Sequence, residues 1–166
     1  MNRRTAMLGL GALGLGATGG YKLLAGSSEV ALTAGRADKV VKTDAEWREV
    51  LSPEAFYVMR KQGTERPFSS PLDDEKRAGV FHCAGCDLDL YASETKYDSR
   101  TGWPSFYQAI AEDRIGTATD YYLVYPRTEV HCARCDGHLG HIFDDGPRPT
   151  GKRHCLNGVS LAFKAA

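Results

Sequence analysis

Five cysteines are the residues most able to do chemistry in this chain, and four of them fall into two pairs of one spacing, Cys83/Cys86 and Cys132/Cys135. A Cys-x2-Cys turn brings two thiolates to one metal ion, and two such turns complete a tetrahedral four-thiolate site. Zinc suits that ligand set and needs no redox change. The 45 residues between the pairs make such a site a long-range clamp on two distant hairpins, not a local finger. Two disulfides in an oxidising compartment are the alternative, and a lone pair of this spacing also serves as a redox couple. Two matched pairs favour zinc. His82 and His131 each precede a cysteine, and because four thiolates fill a zinc shell both are read as strand residues.

The fifth cysteine stands apart, in Lys152-Arg153-His154-Cys155-Leu156-Asn157. An odd count leaves at least one thiol without an intramolecular disulfide partner. Arg153 and His154 place cationic or polarisable groups beside Cys155, and such neighbours raise the thiolate fraction. Two histidines sit nearby in sequence, in His138-Leu139-Gly140-His141. A cysteine brought together with histidine and asparagine is a recurring nucleophilic arrangement. Read alone, a single cysteine near a C-terminus is more often a buried, inert side chain than a nucleophile.

The elements that must position these groups are short. Thr43-Asp44-Ala45-Glu46 has the form of a capping box, and Trp47, Val50 and Leu51 then share one helical face. Ser52-Pro53 starts a second helix with an apolar face at Phe56 and Met59 and a stop at Gly63. From Gly79 the chain reads as strands. Asp87 to Tyr91 alternates polar and apolar, and Val159, Leu161 and Phe163 share one face. Tyr121–Tyr125 and Thr128–Val130 flank Pro126-Arg127 as an expected hairpin, and Asp144 to Pro149 reads as a loop. The expectation is an α+β fold: a mainly antiparallel β domain with short N-terminal helices, clamped by zinc.

The 166 residues suit one folded domain. Lysine plus arginine equals aspartate plus glutamate at 21 each, so no basic excess marks a nucleic-acid partner. The N-terminus reads as an address. Arg3-Arg4 precedes an apolar stretch from Ala6 to Gly20 that holds six glycines. A basic segment before such a stretch reads as a secretory signal, and paired arginines give it a twin-arginine character. Ala6 departs from that pattern, where a bulky apolar residue is usual. An uncleaved anchor helix is the other reading, although repeated glycine makes a poor helix. Residues 1–38 are assigned to signal and linker and 39–166 to the folded domain, which implies a periplasmic or exported protein.

Four ordered motifs now carry a resemblance: Gly63-Thr64-Glu65-Arg66-Pro67-Phe68, Gly102-Trp103-Pro104-Ser105-Phe106, His138 through Pro147, and Arg153 through Asn157. Together they resemble the B-class methionine sulfoxide reductases, over about residues 42 to 165. The two cysteine pairs fall where zinc-binding members carry theirs. The resemblance implies that Cys155 is the nucleophile that takes oxygen from the R epimer of methionine sulfoxide and becomes a sulfenic acid. It implies His141 as first choice for the general acid and His138 as second, since imidazole titrates in the useful range. Asn157 would orient a histidine or a water, Arg153 would stabilise the thiolate, and Trp103 would wall the S-methyl pocket. Phe106 is expected in the core, and Asp144 and Asp145 as loop-shaping residues.

Two departures from the family follow. Many members carry a recycling cysteine where this chain has Thr101, so an external thiol reductant, such as a thioredoxin-like protein, is expected to reduce the sulfenic acid directly. His154 stands where an aromatic is common, and Gly158 where serine is usual. The implied partners are oxidised proteins or peptides, with a monomer as the default. A catalytically silent zinc-stabilised binding module and a thiol redox sensor at Cys155 are the alternatives. The first keeps the fold without the reaction, and the second has no need of Trp103 and the histidines.

Overall fold

The structure is a computed structural model that describes residues 36–123 and 125–166. The expected export signal lies outside the described residues. Two capped helices come first, as their sequence dictates. In α1 (Asp44–Val50) the Thr43 hydroxyl accepts the Glu46 N–H at 3.3 Å, and the Thr43 N–H donates to Glu46 Oε2 at 2.7 Å. In α2 (Pro53–Lys61) the Ser52 hydroxyl accepts the Ala55 N–H at 3.1 Å. The stop lies one residue before Gly63, at Gln62, whose φ of 54° is left-handed. Gly63 leaves room for the Tyr57 ring, which a Cβ there would approach to 2.3 Å. Trp47, Phe56, Val58 and Met59 turn inward and are buried.

Among the described residues nine strands follow in two sheets, with every pairing antiparallel. The smaller sheet has the order β2-β1-β9, from β1 (Gly79–Cys83), β2 (Asp89–Ala92) and β9 (Leu161–Ala165). The larger has the order β3-β4-β8-β7-β6-β5. Its strands are β3 (Lys96–Tyr97), β4 (Ser105–Phe106), β5 (Ile115–Asp120), β6 (Arg127–Cys132), β7 (His138–Phe143) and β8 (Arg153–Leu156). The architecture is thus the expected α+β, mainly antiparallel arrangement.

Aromatic contacts join the sheets. Phe81 of the small sheet meets Phe106 of the large one edge-on, with centroids 5.0 Å apart, and Tyr91 meets Phe106 at 4.6 Å. All three are fully buried, so Phe106 is core as expected. Truncating such a side chain to alanine costs about 3–5 kcal/mol.

Three local expectations are corrected. The first hairpin strand is Ile115–Asp120, not Tyr121–Tyr125; the tyrosines form an exposed connection to β6. Tyrosine favours strands only when it has a partner surface to pack on, and here it has none. Val159 sits in a 3-10 turn, Gly158–Ser160, so β9 starts at Leu161. Leu90 and Tyr91 are both buried because a bulge opposite Phe81/His82 breaks the alternation.

Candidate active site and metal centre

The two cysteine turns are near copies of one another. Cys83 N–H donates to Leu88 O and Cys132 N–H to Gly137 O, each at 2.9 Å. The residue after each pair, Asp87 or Asp136, takes a left-handed φ of 57° or 54°. Asp87 N–H closes back on Cys83 O, and Asp136 N–H on Cys132 O, both at 2.9 Å. This shared conformation aims both thiols of each turn at one point. The four sulfurs lie within 4.8 Å of one another, with Cys83–Cys135 at 3.6 Å and Cys86–Cys132 at 3.5 Å. Tetrahedral zinc with Zn–S bonds of about 2.3 Å sets its sulfurs about 3.8 Å apart. A disulfide needs about 2.05 Å. The cluster therefore fits structural zinc and does not fit the disulfide alternative. Side chains cap it from outside. Arg134 donates to Cys86 O at 3.0 Å, and Arg60 of α2 to Cys135 O at 2.9 Å. Residues before α1 join in: Val40 N–H donates to Arg134 O at 2.8 Å and Asp38 pairs with Arg134 at 2.8 Å.

Cys155 lies on β8, a central strand of the large sheet. Its cross-strand partners are Ser105 on β4 and His141 on β7. Directly opposed residues of an antiparallel pair share a face, with Cβ atoms about 4.5–5.5 Å apart. The imidazole of His141 is therefore placed beside the thiol by register alone. Gly140 makes the approach feasible, because a Cβ there would meet the Cys155 carbonyl oxygen at 2.1 Å.

His138 and His141 are three residues apart, which in a regular strand puts them on opposite faces. Here β7 gains one residue against β6 between the Val130–Gly140 and His131–His138 pairs. That bulge returns both rings to one side, with centroids 5.4 Å apart. Each ring is held by a carboxylate. His138 Nδ1–H donates to Glu129 Oε1 at 2.7 Å, and His141 Nε2–H donates to Asp120 Oδ2 at 2.8 Å. Asp120 also accepts Arg127 Nη2 at 2.5 Å and the Tyr122 N–H at 2.7 Å. These donors hold its carboxyl down at about 2, so it is ionised at neutral pH. Burial lowers the His141 pKa, and the bond to Asp120 opposes that shift.

The thiol itself is pushed up by burial, against which Arg153, Thr101 and Ser105 pull it down. Thr101 Oγ1 lies 4.0 Å from Cys155 Sγ. A chain of hydroxyls continues behind it: Thr101 to Ser99 at 2.8 Å, and Ser99 to Ser105 at 2.7 Å. Arg153 is clamped by Asp145 through two bonds of 2.9 and 2.8 Å and stacks on Phe143 at 4.4 Å. Asp144 pairs with Lys152. His154, beside Cys155 in sequence, points to the other face. It accepts the Tyr91 O–H at 3.0 Å, and burial lowers its pKa to about 4. It is neutral, so it does not contribute the positive charge that its place in the sequence suggested.

A cavity of about 120 Å³ opens at the thiol, lined by Cys155, Trp103, His141, Phe143, Arg127 and Asn157 among others. Trp103 is half-buried, and its indole N–H donates to Glu65 O at 3.3 Å. Asn157 is buried and spends its side chain on backbone: Oδ1 accepts the Glu65 N–H at 2.9 Å, and Nδ2 donates to Leu139 O at 3.0 Å. It orients loop and strand, where the sequence suggested a histidine or a water. Glu65 is a buried hub that the sequence did not single out. Its carboxylate accepts the Gly158 and Val159 N–H groups at 2.5 and 2.9 Å. Gly158 is explained by crowding, since a Cβ there would meet Ser70 Oγ at 1.9 Å. Asp120 and Glu129 were also missed. The one available signal was an acid within each strand of the β5–β6 hairpin, which matters only once the pairing with β7 is known.

The arrangement sets an activatable thiol, an imidazole backed by a carboxylate and an aromatic wall around one small pocket. Comparison with known proteins bears on what it serves. The SelR domain pattern matches residues 51–165. A peptide methionine sulfoxide reductase MsrB of Methanosarcina barkeri is 53% identical over 125 residues, which is 75% of this chain and 88% of that protein. The protein of that name from Pseudomonas putida is 53% identical over 126 residues, covering 76% of this chain and 95% of its own. That from Hahella chejuensis is 50% identical over 129 residues, 78% of this chain and 93% of its own.

Proposed function

From the premise that the chain belongs to the SelR-domain family of B-class methionine sulfoxide reductases, we propose how its own residues carry out that reaction. The protein is an oxidoreductase that reduces the R epimer of methionine sulfoxide in oxidised polypeptides. The single observation that carries the mechanism is the direct opposition of Cys155 and His141 on neighbouring strands beside the Trp103 pocket.

The S-methyl group enters the cavity against Trp103. The Cys155 thiolate attacks the sulfoxide sulfur, and His141 gives a proton to the sulfoxide oxygen, which is a poor leaving group until protonated. Oxygen passes to Cys155 as a sulfenic acid and methionine leaves as the thioether. One proton is consumed, and the two electrons come from the cysteine. Arg153 favours the thiolate electrostatically, and Asp145 and Phe143 keep its guanidinium in place. Thr101 stands in hydroxyl contact with the sulfur, so an external dithiol of the thioredoxin class then reduces the sulfenic acid, releasing water and leaving a disulfide on the donor. Cys83, Cys86, Cys132 and Cys135 would hold a structural zinc, which would tie the two cysteine turns together. We further propose that the protein is exported, on the strength of the paired arginines at Arg3-Arg4 and the apolar stretch after them, and that it works as a monomer by default.

Cys155→Ser tests the mechanism. It is expected to abolish reduction and to leave zinc content and the unfolding midpoint unchanged. Turnover surviving in this variant would refute Cys155 as the nucleophile.

A further inference from the structure

The cavity at Cys155 is small, yet the substrate is polypeptide, so the residues flanking the sulfoxide must lie on a surface beside it. A second cavity of about 510 Å³ adjoins the first and shares Thr64, Arg127 and His141 with it. It runs between the end of α2, at Tyr57 and Gln62, and the β5–β6 connection, at Tyr122 and Leu123. Its lining mixes exposed aromatic rings, Tyr122 at 89% and Tyr57 at 56%, with polar groups such as Lys61, Arg127 and Glu129, and Tyr121 (76%) and Tyr125 (60%) stand exposed on the same connection. Uncharged aromatic residues at this exposure cost solvation without serving the core, and a cluster of them marks an interaction surface. The connection is also fixed at its base, because the Asp120 carboxylate that holds His141 accepts the Tyr122 N–H at 2.7 Å.

We infer that this groove is the docking site for the polypeptide segment that carries the oxidised methionine, with the β5–β6 tyrosines as its contact surface. The inference rests on the reductase reading above. Continuity with the Cys155 pocket argues for this occupant: a chain adds about 3.3 Å per residue, so the neighbours of a sulfoxide bound at Cys155 fall within the adjoining groove. Tyrosine suits the task, since it offers broad amphipathic contact at little entropic cost and tolerates varied sequences. The groove would therefore select unfolded or locally opened chain and not a particular sequence.

The test compares two substrates, an unstructured peptide containing methionine-R-sulfoxide and the capped single residue N-acetyl-methionine-R-sulfoxide amide. The variant is Tyr121→Ser/Tyr122→Ser/Leu123→Ser, at exposed positions outside the core. The peptide's kcat/KM is expected to fall about tenfold through KM, while the capped residue changes by less than about twofold. Equal losses on both substrates, or no loss on the peptide, would overturn the inference. So would a wild-type dimer that the substitutions dissociate, because a second copy would then cover the surface. A wild-type protein that reduces neither substrate strikes at the reductase reading instead. In that case, binding of the same peptide to Cys155→Ser protein decides the docking claim: weaker binding with the loop substitutions supports it, and equal binding overturns it.

Discussion

His141 and Cys155 are direct cross-strand partners, and Asp120 holds the imidazole from behind by its Nε2–H. This fixes the tautomer and leaves Nδ1 as the nitrogen free to serve as acid. Removing the ring is expected to cost about 10²–10⁴-fold in kcat, the usual range for a lost general acid. His141→Gln assayed at saturating reductant checks this; a loss under tenfold would transfer the role to His138.

Asp120→Asn should act through His141. The carboxylate opposes the fall in the His141 pKa, so its loss lets that pKa drop further. The alkaline limb of the pH–kcat profile, where His141 loses the proton it must donate, should move to lower pH, with a drop of about tenfold in the plateau, at the weak end of acid–base contributions. An unshifted profile would reduce Asp120 to a structural tie between strand and loop.

Arg153 is the cation that draws the Cys155 thiol down against the effect of burial. Arg153→Gln should raise the thiol pKa, slow alkylation by iodoacetamide at pH 7 and shift the alkylation profile to higher pH. Identical profiles for variant and wild type would leave the thiolate to the hydroxyls of Thr101 and Ser105.

His154 carries a stability signature. Its folded pKa is about 4, below the ordinary value of 6.5, so the unfolded chain binds the proton first. The stabilisation is whole above pH 6.5 and is lost as pH falls from there toward 4, with an upper bound of about 3 kcal/mol at 1.36 kcal/mol per unit. His154→Phe should flatten this part of the stability curve while losing the bond to Tyr91. Urea midpoints at pH 7 and 4.5 measure both effects, and parallel curves would contradict the assignment.

The zinc clamp joins β1 to β6, strands of different sheets. Cys86→Ser should lose the metal and lower the melting temperature by roughly 10 °C or more, since about 3 kcal/mol suffices for that in a domain of this size. A zinc-free variant with an unchanged midpoint would mean that the core alone holds the sheets.

Local signals in the sequence are legible where local physics decides the outcome. The capping box at Thr43, the serine cap before Pro53 and the paired Cys-x2-Cys turns depend on near neighbours, and all stand in the structure. What escaped depends on register. His138 and His141 share a side only because β7 bulges against β6, and nothing in His138-Leu139-Gly140-His141 itself announces that. Asp120 and Glu129 become partners of the histidines through the same pairing. The tyrosine run failed as a strand because strand propensity measures packing against a surface, and this run has none.

Separated epimers of peptide-bound methionine sulfoxide, with dithiothreitol as donor, test the central claim most directly. The account predicts that only the R epimer is consumed, with one methionine formed per dithiol oxidised. Consumption of the S epimer, or of neither by folded and zinc-loaded protein, would contradict it.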